Sequence, residues 1–123
     1  MAERLLLILG AIAGFAGVMA AAAAAHVGGG DNLRVSAQFL LFHAPLLAAA
    51  PAIVRSGAVR RGPALLALML AAFGVALFSG QLALRALADA SLFSMAAPTG
   101  GTLLMLGWLL LGVSALLPAR RAS

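Results

Sequence analysis

The chain has 123 residues, of which 64% are hydrophobic and 9% charged, with a mean hydropathy of +1.13 and a formal charge of +5. So few charges exclude an ordinary soluble domain, where about a quarter of residues are charged, and the lack of cysteine excludes disulfides, thiolate metal sites and a cysteine nucleophile. All eight basic residues are arginines, placed beside apolar runs rather than in a stripe with aromatics; this excludes a nucleic-acid binder and suits charges that report membrane topology.

Four apolar runs follow in order, each near the ~20 residues that a spanning helix needs. Leu5 to Ala25 is the first. Its apolar core is longer than that of a typical secretory signal, so it is expected to stay in the membrane. Gly10 and Gly14 form a small-xxx-small pair, roughly continued by Gly17, Ala21 and Ala25. In lipid, helices associate through close backbone approach, so this face is expected to be buried and Gly14→Leu to overpack it. The second run, Leu33 to Val54, is interrupted by Arg34, Gln38 and His43, and Asp31 or Asn32 is placed to cap it. Pro63 opens the third run, Pro63 to Ala88, and Pro98 the fourth, Pro98 to Leu117, at positions where a missing N–H costs nothing. Gly74, Gly80, Gly100, Gly101, Gly107 and Gly112 supply further contact points.

The connections "HVGGGDN", "RSGAVRRG" and "DASLFSMAA" are short, which makes sequential helices antiparallel. The expected fold is all-α: a single domain over 1–123, a polytopic bundle of four transmembrane helices. The apolar third connection is expected in the headgroup layer. With four spans, Arg4, Arg55, Arg60, Arg61, Arg120 and Arg121 share one side, and Arg34 and Arg85 lie on the other. The positive-inside rule then puts both termini in the cytoplasm of a multi-pass inner-membrane protein. Arginine, alanine and glycine richness without lysine points to a bacterium with a GC-rich genome.

Counting 1.5 Å per residue gives each polar group a depth. Gln38 and Gln81 fall in the outer third and Ser79 a little deeper, while His43 and Trp108 both lie about 15 Å in, at mid-membrane. Ser36 shares a face with His43 at i, i+7; Arg34 shares another with Gln38 at i, i+4; Arg85 and Asp89 are spaced to pair. The outer half therefore holds most polar groups and the inner half almost none. That pattern predicts a polar vestibule open to the non-cytoplasmic side, with no path through. A charged imidazole at such depth is costly, so His43 is expected to be neutral and to point inward. Its expected partners are Ser79, Trp108, or the carbonyl of Leu41, which loses its helical donor at Pro45.

Several of these residues together resemble a small uncharacterised bacterial membrane-protein family, the YgdD-like domain-of-unknown-function group, and a small mitochondrial inner-membrane protein is similar. The resemblance rests on Ala25-His26, on Gln38 and His43, on Ser79-Gly80, and on Pro98, Gly100, Gly101, Gly107 and Trp108. The first half departs from the pattern at "AAAAAAHVGGG" and at Phe42, where an aromatic hydroxyl is usual. The resemblance implies a four-helix membrane fold and no particular activity.

Two functions compete. The first is a structural or accessory subunit, packed against a larger membrane complex or a second copy of itself. The second is a small-molecule or lipid-binding protein, in the limit a minimal transporter, using the vestibule around Gln38, His43, Ser79, Gln81 and Trp108. An enzyme is not expected: no serine–histidine–acid set lies at one depth. No metal or cofactor is expected either, since His26 lies at the surface and His43 at mid-membrane, unlike a pair of axial haem ligands. The partner that remains certain from composition is the lipid bilayer, not nucleic acid.

Overall fold

Backbone amides buried in lipid must be bonded within the segment, so apolar runs of this length resolve as helices. The computed structural model describes residues 1–27 and 30–118. Five helices occur there: α1 (Ala2–His26), α2 (Gly30–Ala48), α3 (Ala50–Arg55), α4 (Arg61–Ala88) and α5 (Ala96–Leu116). With α2 and α3 taken together as Gly30–Arg55, four units are long and apolar enough to cross a membrane. Arg120 and Arg121, and Gly28 and Gly29 of the first connection, lie outside the described residues.

The second span departs most from expectation. It is two helices rather than one, because Pro51 sits in the first turn of α3 and has no N–H to return to Leu47. The joint stays in register: the Ala49 N–H reaches the Pro45 carbonyl at 2.9 Å and the Ile53 N–H reaches Ala49 at 2.9 Å. At its start, α2 begins at Gly30, whose φ of 59° is readily adopted only by glycine. Asp31 consequently lies within the first turn rather than capping it, and bonds Arg34 at 2.9 Å. The expected Arg85–Asp89 pair does not form among the described residues. Asp89 instead takes a left-handed conformation (φ 48°) that closes α4, its N–H bonded to the Arg85 carbonyl.

Helix α1 packs on α2, α2 on α4, and α4 on α5. Among the described residues no Cα of α5 comes within 8 Å of α1 or α2. The arrangement is thus a row folded around the central pair α2 and α4. The largest fully buried apolar side chains are Leu6, Leu33, Leu47 and Leu68. Leu33 lies near the start of α2, while the other three join Val54, Val75 and Leu104 in a core toward the end that carries the 55–61 connection, termed the inner end. At the other, outer end the helices diverge, leaving an apolar groove of about 420 Å³ between α1 and α4, floored by α2.

Candidate functional site

Polar groups occur at four levels. At the outer end, Gln81 on α4 donates through Nε2 to Ser91 Oγ at 2.6 Å and accepts from the Leu92 N–H at 2.8 Å. It fixes the α4–α5 connection against the helix, which lets that apolar loop lie along the bundle. Gln81 is buried, yet it reaches neither His43 nor Gln38.

One level deeper, Ser36 and Ser79 clasp α2 to α4. Ser36 Oγ donates to the Ser79 carbonyl at 2.7 Å, and Ser79 Oγ donates to the Ser36 carbonyl at 3.1 Å. Both side chains are buried, 0% and 1% exposed, so each hydroxyl meets an acceptor where water is absent. Such a reciprocal pair needs the two backbones close together.

At mid-depth, His43 is 4% exposed and points into the bundle. Its Nδ1 lies 2.7 Å from the Phe39 carbonyl, one turn back, and the Trp108 indole N–H donates to its Nε2 at 3.1 Å. A carbonyl can only accept, so the proton resides on Nδ1; an indole N–H can only donate, so Nε2 is bare. The two contacts define a neutral imidazole of one tautomer. This is the contact between α2 and α5 that their backbones do not make. Phe39 stacks beside the ring at 6.0 Å between centroids and continues to Phe78 on α4 at 4.4 Å. Of the three partners expected for His43, Trp108 is met; Ser79 belongs to Ser36, and the carbonyl used is that of Phe39 rather than Leu41.

At the inner end lies a group that the sequence reading overlooked. Glu3 on α1 accepts from Arg55 at the end of α3, 3.0 Å from Nε to Oε2, and from Arg61 at the start of α4. The Glu3 side chain is 6% exposed, while those of Arg55 and Arg61 are 76% and 56% exposed. The carboxylate is therefore held inside and the guanidiniums spread over it. Glu3 stands just ahead of the first apolar run and its partners are 52 and 58 residues away. Only the shared side of those ends hinted at the contact.

Gln38 is exposed on the outer part of α2, beside Arg34 in a shallow recess against the alanines of α1. Gln38, His43 and Gln81 thus line no common space, and the vestibule expected from them is replaced by the apolar groove between α1 and α4. Among the described residues, no buried side-chain nitrogen or oxygen lacks a partner.

The glycines divide by how closely a neighbour approaches. A Cβ at Gly100 would lie 2.6 Å from the Phe78 nitrogen, one at Gly74 2.8 Å from the Gly100 carbonyl, and one at Gly107 2.9 Å from the Ala67 carbonyl. On α1, a Cβ at Gly10 would lie 2.5 Å from the Ala48 nitrogen, at the joint between α2 and α3. At Gly17 it would meet only the side chains of Leu40 and Leu41, and at Gly14 the Ala44 methyl at an ordinary 3.6 Å. Gly101 has similar slack, 3.8 Å from the Phe78 ring. The tight contact expected at Gly14 is therefore one turn earlier, at Gly10.

A family model described as "Protein of unknown function (DUF423)" matches residues 9–101. The chain belongs to this family. Within the DUF423 match lie Gly10, the Ser36–Ser79 clasp, His43, Gln81 and Gly100; Glu3, Gly107 and Trp108 fall outside it. Neither the curated proteins nor the solved structures contain a match to the chain.

Proposed function

We propose that this DUF423 protein is a small structural or accessory subunit of the bacterial inner membrane, with both termini in the cytoplasm. The observation that carries the proposal is the use made of the polar groups. Apart from Ser114, whose hydroxyl bonds the Leu111 carbonyl within α5, each buried one is spent on joining two elements of the same chain: α4 to its loop, α2 to α4, α2 to α5, and α1 to α3 and α4. None is left aimed into a cavity, as a substrate site would require. Meanwhile α1 and α5, the two outer members of the row, present Ile12, Phe15, Met105 and Leu109 outward. Apolar faces of this kind are covered by lipid or by a neighbouring helix. We propose in addition a finer kinship with the YgdD-like group, which Ser79-Gly80 and the Pro98–Trp108 stretch support.

The test is purification from native membranes in a mild detergent. A stoichiometric larger complex supports the accessory role. A monomer that retains a stoichiometric small molecule, or a lipid whose retention depends on the residues lining the groove between α1 and α4, overturns it in favour of the second reading, a binding protein using that groove. Orientation is tested separately, with single cysteines in place of Ser56 and Ser91 and an impermeant thiol reagent added from outside. Position 91 is expected to react and position 56 to remain protected; labelling of position 56 alone reverses the topology.

A further inference from the structure

We infer that the inner end of the bundle binds the phosphate of an anionic phospholipid headgroup, in the arginine-lined bowl between α3 and α4. This goes beyond the accessory role and uses different residues from the groove. The bowl has a volume of about 670 Å³ and is lined by Arg55, Arg60 and Arg61, with Val54, Val59 and Pro63 as its apolar wall.

Charge is the first reason. Three arginines line the bowl, two of them bonded to the carboxylate of Glu3, and Arg55 and Arg61 each remain more than half exposed after bonding it. Arg60 has no ion-pair partner among the described residues. Its backbone is fixed by an N–H bond of 2.9 Å to the Ser114 carbonyl at the end of α5, so its side chain projects from a set position. Guanidinium stays charged and matches phosphate oxygens with two parallel donors. Glu3 holds two of the three arginines in place without satisfying all their donors.

Local backbone is the second reason. Helix α4 begins beside the bowl without a side-chain cap. The N–H groups of Arg61 and Gly62 meet no acceptor among the described residues, and Pro63 has none to offer. A side chain at Gly62 would meet nothing within 4 Å, so space is open above these donors. They add to the arginines and would not make a site without them.

Location selects lipid over a soluble anion. The bowl sits where two segments long and apolar enough to span end, at Arg55 and Arg61, the level at which headgroups meet such helices, and Val54, Val59 and Pro63 give it an apolar wall. Basic residues next to a span are each drawn to an anionic leaflet. Here they are also shaped into a concavity.

The test uses the full chain in a non-ionic detergent, with the thermal midpoint followed as phosphatidylglycerol, phosphatidylcholine or inorganic phosphate is added. Phosphatidylglycerol should raise the midpoint by several degrees and phosphatidylcholine should not. Arg60→Gln should weaken the apparent affinity roughly fivefold, the factor expected for one basic residue at an anionic surface, without moving the lipid-free midpoint. If Arg60→Gln proves unstable, Gly62→Glu decides: it enters open space in a first helical turn, where a carboxylate is tolerated, and should abolish the shift. An equal shift from inorganic phosphate would overturn the lipid assignment in favour of a soluble anion. The absence of any shift, or one that Gly62→Glu retains, would overturn the site.

Discussion

The α4–α5 seam and the α1 contact surface are both built from small residues, but they hold their helices differently. Along α5, Gly100 and Gly107 each admit a backbone of α4, and Gly74 on α4 admits α5 in return. The two helices touch at intervals over most of their length. Helix α1 meets a backbone closely at Gly10, is tied at Glu3, and beyond Gly14 rests on side chains as it diverges from α4. Small residues alone therefore do not fix a helix in lipid. Repeated backbone contacts, on both partners, do so where hydrophobic association is absent.

The contrast can be broken by substitution. Gly100→Ala should have the largest effect, about 3 kcal/mol, at the upper end of the usual overpacking range, because α5 can move off at Gly100 only by also opening the close backbone contacts at Gly74 and Gly107. Reversible unfolding in mixed detergent micelles would measure it. Gly10→Ala places its methyl as close to a backbone but should cost about 2 kcal/mol, since α1 can swing toward the open groove. Equal losses at the two sites would mean that α1 is as firmly set as α5. Ser36→Ala and Ser79→Ala each remove one hydroxyl that bonds the other residue's backbone carbonyl, so each should cost about 0.6 kcal/mol, the average for membrane hydrogen bonds, and the two losses should add. Losses several times larger would make that clasp, rather than apolar packing, the main tie between α2 and α4. Smallest of all, Gly14→Ala should change stability by under about 0.5 kcal/mol. A loss matching that of Gly10→Ala would place the close approach of α1 one turn further along.

Much of this arrangement was legible from composition and from depth. Apolar runs located the spans, Pro63 and Pro98 marked two helix starts to within two residues, and matched depth brought His43 and Trp108 together. Depth is a height along the bundle and contains no rotation about it. Ser79 was at a plausible height for His43 but faces Ser36, and Gln38 faces outward while Ser36, two residues earlier, faces in. Gly10 and Gly14 are likewise adjacent on one stripe, and only the position of Ala48 decides which is tight. Glu3 was missed because a single acid outside an apolar run gives no periodic signal. The split at Pro51 was missed because the run of apolar residues continues through it.

Trp108 is the only tryptophan in the chain, and its indole N–H is bonded to a residue 65 positions earlier. Helix α5 is the last of the helices to be synthesised, and the contact cannot exist until it has docked on α4 with α2 already in place. Ultraviolet emission from this one fluorophore is consequently a record of assembly order: its environment reaches the native value only at the final docking step. An insertion intermediate with three spans seated and the fourth, α5, astray would be distinguishable by its colour, with no label attached.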